Sequence, residues 1–207
     1  MPGSADPALL DLLAAPAEAA AVTLLGCSLT HRADDGVVTV RLTEVEAYAG
    51  EADPASHAWR GQTSRNAVMF GPAGFLYVYF SYGLHFCGNV VVGPPDEASA
   101  VLLRAGEVVD GEDLARRRRG PAVKNAALAR GPANLMQALG VDGRHNGEHL
   151  LGAGTLALAR GTPAPPDRVR QGPRVGVSRA ADVPWRFWLS DEPSVSAYRR
   201  SPRAEVR

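Results

Sequence analysis

The stretch Val37-Val38-Thr39-Val40-Arg41-Leu42-Thr43-Glu44-Val45 decides the fold class. Valine and leucine dominate it, polar residues interleave with them, and neither glycine nor proline interrupts, so it predicts a strand. The turn Ala33-Asp34-Asp35-Gly36 precedes it, and residues 22–29 read as a strand on the far side of that turn. Residues 75–82 continue the period of two, with Tyr77 and Tyr79 on one face and Leu76, Val78 and Phe80 on the other. Residues 89–92 and 100–104, parted by Gly93-Pro94-Pro95, are further strands. Residues 155–159, 174–177 and 186–189 supply late ones.

Helices stand apart from these strands. Asp6-Pro7 reads as an N-cap and first helical residue, with Leu9, Leu10, Leu12 and Leu13 as an apolar stripe, giving a helix over about 7–20. Two more are predicted over 111–118 and 132–139, the second opened by Gly131-Pro132 and closed by Gly140. Residues 161–173, rich in proline and glycine, read as a mobile loop. Strands joined by turns, with helices set aside, predict an α+β fold. Residues 1–207 are expected to form a single compact domain with a curved, largely antiparallel sheet and peripheral helices.

Composition bounds the function classes. A chain of 207 residues with 45% hydrophobic and 21% charged residues can bury a full core, which excludes a disordered chain. No apolar run approaches the roughly 18 residues of a membrane span. Two cysteines, Cys27 and Cys87, are too few for a disulfide framework and fit a reducing compartment. Leu24-Leu25-Gly26-Cys27 imitates a lipoprotein signal, yet the first basic residue is Arg32 and acidic residues interrupt the supposed leader. A cytoplasmic protein is expected. The chain has no isoleucine and one lysine, Lys124, a bias that suggests a GC-rich bacterial genome. The formal net charge is zero, but residues 1–55 carry two basic and nine acidic groups, while the remainder is net basic. A basic face toward phosphate is compatible with that distribution and does not follow from it.

Several motifs lead nowhere. His145-Asn146-Gly147-Glu148-His149 matches a zinc-protease pattern, but Asn-Gly is a turn dipeptide that works against the helix the pattern needs. Gly152-Ala153-Gly154 mimics a dinucleotide fingerprint without a preceding strand. The run Arg116-Arg117-Arg118-Arg119 reads either as a solvated helix end or as a phosphate-facing patch. No metal site and no cofactor are expected.

One constellation carries chemistry. Glu44 and Glu46 point to one side of their strand, Glu46 at its end, and Tyr48, His57, Tyr77, Tyr79, Tyr82, His85, Asn89 and Arg104 follow. Each residue taken singly has an ordinary reading: solvated carboxylates, half-buried sheet tyrosines, a structural histidine. Together they suit a pocket that sandwiches a planar heterocycle while a carboxylate works at its edge.

These residues resemble the alkyladenine (3-methyladenine) DNA glycosylase family. The resemblance rests on Glu44-Val45-Glu46-Ala47-Tyr48, on residues 53–57, and on Gln62-Thr63-Ser64-Arg65-Asn66 with Met69-Phe70. It continues through Tyr77-Val78-Tyr79, Tyr82-Gly83, Phe86-Cys87, Asn89, Val101-Leu102-Leu103-Arg104-Ala105, Gly131-Pro132, Arg174-Val175-Gly176-Val177 and Arg186-Phe187, over about 44–190. It implies excision of damaged purines from double-stranded DNA by a monomeric enzyme, nucleoid-associated when acting. Glu46 matches the general base, and Arg104 and the main-chain carbonyl of Val175 match groups that hold the attacking water. Tyr48, His57 and Tyr79 match the walls of the base pocket, and Asn89 the residue that disfavours guanine. Tyr82 matches the wedge that fills the gap left by the flipped base. Thr63, Arg65, Met69 and Tyr77 lie where the family approaches the DNA backbone.

The resemblance implies a base-excision-repair enzyme that removes alkylated or deaminated purines, hypoxanthine included, and leaves an abasic site without cutting the strand. A damage sensor that no longer cleaves and a nucleosidase acting on free nucleosides are the competing readings. The retained Glu46, Arg104 and Val175 speak against the first, and the wedge tyrosine against the second.

Overall fold

The computed structural model describes residues 6–81 and 83–205; Tyr82, the expected wedge, lies outside the described residues. The chain opens with α1 (Pro7–Leu13), capped by the Asp6 side chain accepting from the Leu9 amide at 3.2 Å. The expected single helix over 7–20 is in fact two. Pro16 lacks an amide hydrogen and its ring obstructs a continuing turn, so the chain breaks and restarts as α2 (Ala17–Leu24). α2 also absorbs the start of the strand expected at 22–29. Ala17, Ala20, Ala21 and Leu24 bury a helical stripe, and that burial outweighs the strand preference of Val22 and Thr23.

β1 (Ser28–Ala33) and β2 (Gly36–Ala49) form a hairpin whose turn at Asp34-Asp35 is where the sequence places it, but β1 overlaps the strand expected at 22–29 only at residues 28 and 29. β3 (Leu76–Ser81), β4 (His85–Val92) and β5 (Ser99–Asp110) follow, then α3 (Glu112–Arg119), β6 (Ala129–Arg130) and α4 (Pro132–Leu139). The chain ends with β7 (Leu156–Ala159), β8 (Val169–Gly172) and β9 (Arg186–Leu189). The sheet order is β3-β4-β5-β2-β1-β7, with β6 on β5, β9 on β2, and β8 on β9. Every pairing between these strands is antiparallel. The protein is therefore a single compact α+β domain, as its sequence predicts.

β2 is the spine. One edge pairs with β5 along most of its length; the other pairs first with β1 and then, from Glu44 to Glu46, with β9. The changeover coincides with register shifts between Leu42 and Val45, a bulge that bends the strand. Gly106 sits opposite Leu42, where a Cβ would come within 2.2 Å of Val40, so only glycine fits beneath the bend. The bulge also reverses the alternation. Val38, Val40 and Leu42 enter the main core before it, whereas Val45 and Ala47 do so after it. Glu44, Glu46 and Tyr48, the even-numbered continuation, are thereby turned to the opposite face.

Two late expectations are corrected. Residues 174–177 are not a strand, because Arg174 and Val175 bond to loop and β2 groups instead of a neighbouring strand. The expected mobile loop at 161–173 contains a 3-10 turn at Pro166–Arg168 and then β8. Its Gly161 packs so closely on Gly26 that a Cβ would lie 1.8 Å from the Gly26 carbonyl oxygen.

The arginine run is largely engaged in holding the helical side together. Arg118 donates to the Ala138 and Leu139 carbonyls at 3.1 and 2.7 Å, and Arg119 to the Leu128 carbonyl at 2.8 Å. Arg116 bonds Glu112 at 2.8 Å. Among the described residues no helix is long and apolar enough to cross a membrane.

Candidate active site

A cavity of about 670 Å³ opens on the sheet face that the bulge exposes. Its floor follows from register. Tyr77 lies opposite Asn89, Asn89 opposite Leu102, and Leu102 opposite Glu46, one row across β3, β4, β5 and β2. Cross-strand partners share a face, so four residues distant in sequence meet in one line. Tyr79 opposite Cys87 forms the next rung. Ala58, Met69, Val91 and Ala100 pack with Tyr77 in a small apolar cluster at this end of the sheet.

Glu46 is fully buried and lines the cavity. Its Oε1 accepts the Val175 amide at 2.7 Å and lies 3.4 Å from Arg104 Nε; its Oε2 accepts the Tyr48 hydroxyl at 2.9 Å. The Val175 contact runs through the amide N–H, a role beside the carbonyl role that the resemblance implies. Burial, and then the charge of Glu46, pushes the Tyr48 phenol well above its ordinary value, so it stays a donor. Burial raises the Tyr79 phenol likewise.

Behind Glu46 lies a closed polar cluster. Glu44, also fully buried, accepts from Arg104 Nε at 2.9 Å, Arg186 Nε at 2.7 Å, and the Ser196 amide and hydroxyl at 2.7 and 2.9 Å. Burial opposes its ionisation, but the charges of Arg104 and Arg186 win and hold the carboxyl below its usual range. Arg104 loses charge stability to burial and regains more from Glu46 and Glu44, so its pKa is raised. Arg104 thus bridges the closed cluster and the cavity.

A second buried pair fixes the neighbouring loop. Arg174 bonds Asp53 with both terminal nitrogens, Nη2 to Oδ1 at 2.9 Å, and donates to the Ala47 carbonyl at 3.0 Å. Its guanidinium lies 4.7 Å from the Tyr48 ring centroid and 5.3 Å from that of Trp185. One arginine therefore supports the Tyr48 ring and anchors the residue before Val175.

The aromatic wall is built by contact. The His57 ring meets Tyr79 edge-on at 4.5 Å and its Nδ1 is 3.1 Å from the Tyr77 hydroxyl, while Tyr77 and Tyr79 stack at 5.7 Å. His57 stands on the open side of the cavity, yet partial burial, and then the charge of Arg65, lowers its pKa and keeps it neutral near pH 7. Asn66 holds its loop: it accepts from the Thr63 amide and hydroxyl and donates to the His57 and Gly61 carbonyls. Asn89 donates to the Tyr77 carbonyl at 3.2 Å.

Of the residues expected at the DNA backbone, Thr63 and Arg65 are exposed, and Arg65 lines the cavity with its guanidinium 5.7 Å from the Tyr79 ring centroid. Met69 and Tyr77 are 3% and 1% exposed and line the cavity. The residues of the zinc-protease pattern do not converge. His145 closes a capping box with Asp142, His149 stacks on Phe75, and Glu148 accepts from Thr155 and the Leu156 amide.

An antiparallel sheet that turns a buried carboxylate and a wall of aromatic rings into one cavity suits an enzyme acting on a flat ring system. Residues 11–193 match the family described as Methylpurine-DNA glycosylase (MPG), and the chain belongs to that family. It is 57% identical over 191 residues to a protein of Nocardia farcinica, covering 89% of this chain and 88% of that one. A protein of Streptomyces avermitilis is 51% identical over 201 residues, covering 95% and 94%, and one of Frankia casuarinae 52% over 206, covering 94% and 95%. All three relatives are provisionally named 3-methyladenine DNA glycosylases.

Three residues of structural weight escaped the sequence reading. Asn66 and Arg174 stood inside quoted motifs without an assigned role, and their buried bonding shows only in three dimensions. Ser196 lies beyond the matched residues, in a polar tail that carries no local signal.

Proposed function

We propose that this chain is a monofunctional DNA glycosylase of base excision repair, which takes an alkylated or deaminated purine out of duplex DNA and hydrolyses its N-glycosidic bond. The observation that carries this reading is the Glu46 carboxylate, buried at the end of an aromatic cavity and fixed by Val175, Tyr48 and Arg104. The family and the names of its relatives support the substrate class, with 3-methyladenine first.

The chemistry follows from the parts. The extruded purine lies between Tyr48 on one side and His57 and Tyr79 on the other. A base alkylated at N3 or N7 carries positive charge, which neutral electron-rich rings attract and a protonated histidine would repel. Glu46 takes a proton from water as the water oxygen bonds to C1′, and the glycosidic electron pair leaves with the base. A cationic purine departs neutral and needs no acid; hypoxanthine needs more help and is the slower substrate. Arg104 and the Val175 main chain hold the water, and Asn89 crowds the exocyclic amine of guanine. Tyr82 fills the gap in the duplex, and Thr63 and Arg65 approach its backbone. The one lysine, Lys124, is exposed and does not line the cavity, so water rather than a lysine amine is the nucleophile and an abasic site remains.

Single-turnover assays on duplexes carrying 3-methyladenine, hypoxanthine or ethenoadenine test this. Alkali-dependent cleavage at the lesion by wild type, slowed by about 10²–10⁴-fold in Glu46→Gln, is the expected result. Tight lesion binding without excision by wild type would overturn it in favour of a damage sensor.

A further inference from the structure

Two arginines approach the Trp59 ring, its chain neighbour Arg60 and, from another loop, Arg179. The Arg179 guanidinium carbon is 4.4 Å from its ring centroid and that of Arg60 is 5.4 Å away. Both loops end at the cavity: His57, two residues before Trp59, and Ser178, adjacent to Arg179, line it. The three side chains therefore tie together the loop carrying the aromatic wall and the loop carrying the Val175 amide. They also place two cations beside these loops, while Arg65 sits by Tyr79 at the cavity.

The bonding of these arginines sets them apart from those inside. Arg104, Arg174 and Arg186 are buried and paired with carboxylates. Arg60 is exposed and makes no hydrogen bond among the described residues, and Arg179 has one ion pair, 3.8 Å to the exposed Glu205. Exposed pairs of that kind contribute little. Glu51, whose carboxylate lies beside Gly61, is exposed as well. A guanidinium stacked on an indole keeps its N–H edge free, in a plane that suits two phosphate oxygens. A nucleotide swung into the cavity stays tethered through its flanking phosphates, so those phosphates must lie at the mouth.

Resting on the glycosylase reading above, the geometry points to Arg60 and Arg179, oriented by Trp59, as a phosphate clamp for the DNA strand on this lip of the cavity. The clamp is sequence-independent and acts on damaged and undamaged duplex alike.

Binding to an undamaged duplex, measured by fluorescence anisotropy between 50 and 200 mM salt, tests it. Arg179→Gln and Arg60→Gln each remove one phosphate contact, so the loss of affinity across that range should be about three- to fourfold smaller than in wild type. Arg179→Lys, which keeps the charge, should preserve most of the salt dependence. Arg117→Gln, an exposed arginine of α3 that does not line the cavity, should leave it unchanged. The excision rate of Arg117→Gln at saturating lesion duplex should stay at the wild-type value. An unchanged salt dependence in both glutamine variants, with thermal stability retained, would overturn the clamp. So would a slower rate at saturating DNA with unchanged salt dependence, because the stack would then serve only to tie the loops. Wild type that binds undamaged DNA yet excises nothing would sink the glycosylase reading and leave the salt comparison intact.

Discussion

Glu44 and Glu46 stand two residues apart on one face of β2, both fully buried, and their surroundings differ in kind. Around Glu44, two arginines and Ser196 supply four donors, and the Ser196 carbonyl accepts Arg186 in turn at 2.7 Å. Around Glu46, a main-chain amide and a phenol fix the carboxylate, Arg104 stands slightly farther off, and the remaining side is the cavity. A carboxylate enclosed by donors holds a structure together. One fixed at its back and open at its front can accept a proton.

Replacing the open carboxylate should have the largest effect on chemistry. Glu46→Gln is expected to slow single-turnover excision by about 10²–10⁴-fold, the usual contribution of a positioned base, while sparing lesion binding. Replacing the enclosed carboxylate should act on the fold first. Glu44→Gln leaves two buried guanidinium groups short of charge and is expected to cost about 3–5 kcal/mol in denaturant unfolding. If Glu44→Gln instead kept full stability and lost excision as Glu46→Gln does, the division between the two carboxylates would fail.

The link between the regions can be probed more gently. Ser196→Ala removes a hydroxyl that donates to Glu44 and accepts from Arg104 at 3.3 Å, a loss of about 1–3 kcal/mol, with Ser196→Thr restoring most of it. Tyr48→Phe should slow excision by roughly tenfold, the worth of about one hydrogen bond to a charged group, and leave stability nearly unchanged because the Arg174 stack remains. Equal losses of stability in Tyr48→Phe and Ser196→Ala would show that the cavity side is structural too.

The smallest effect concerns pH. Burial lowers the pKa of His31, whose Nδ1 donates to the Leu139 carbonyl at 2.8 Å, and burial lowers that of His57. The unfolded chain therefore takes up these protons first. Stability should be complete above the ordinary histidine pKa of about 6.5 and decline as pH falls below it toward the depressed native values. Thermal melts from pH 7.5 to 5 should show that decline, and His31→Gln should flatten it. An equally steep decline in His31→Gln would remove this histidine from the account.

Much of this protein was legible in its residues, and the limits have identifiable causes. The turn between β1 and β2, β3, α4 and β9 follow from turn chemistry and local period, which depend on near neighbours, whereas the strand expected at 22–29 overlaps β1 only at residues 28 and 29. α1 and α2 were joined in error because the leucine stripe masked Pro16. Residues 174–177 were read as a strand because alternation cannot reveal that Arg174 has a buried partner 121 positions away. The grouping of Glu46, Tyr48, His57, Tyr77, Tyr79 and Asn89 came from their joint presence and from the family resemblance.

The sequence by itself determined the α+β class, the identity of the chemical groups, and the family. Only the tertiary structure decided which way the groups point. The apolar positions of β2 change from even, at Val38, Val40 and Leu42, to odd, at Val45 and Ala47, and that change becomes a bulge only when β5, β9 and Gly106 fix the register. Without the bulge, a period of two would carry Glu44 and Glu46 into the hydrocarbon core, where two unpaired carboxylates could not stay ionised. With it, the same residues reach Arg104, Ser196 and the Val175 amide. Side-chain chemistry is local, but the partners that allow a charge to remain buried are brought together only by the fold.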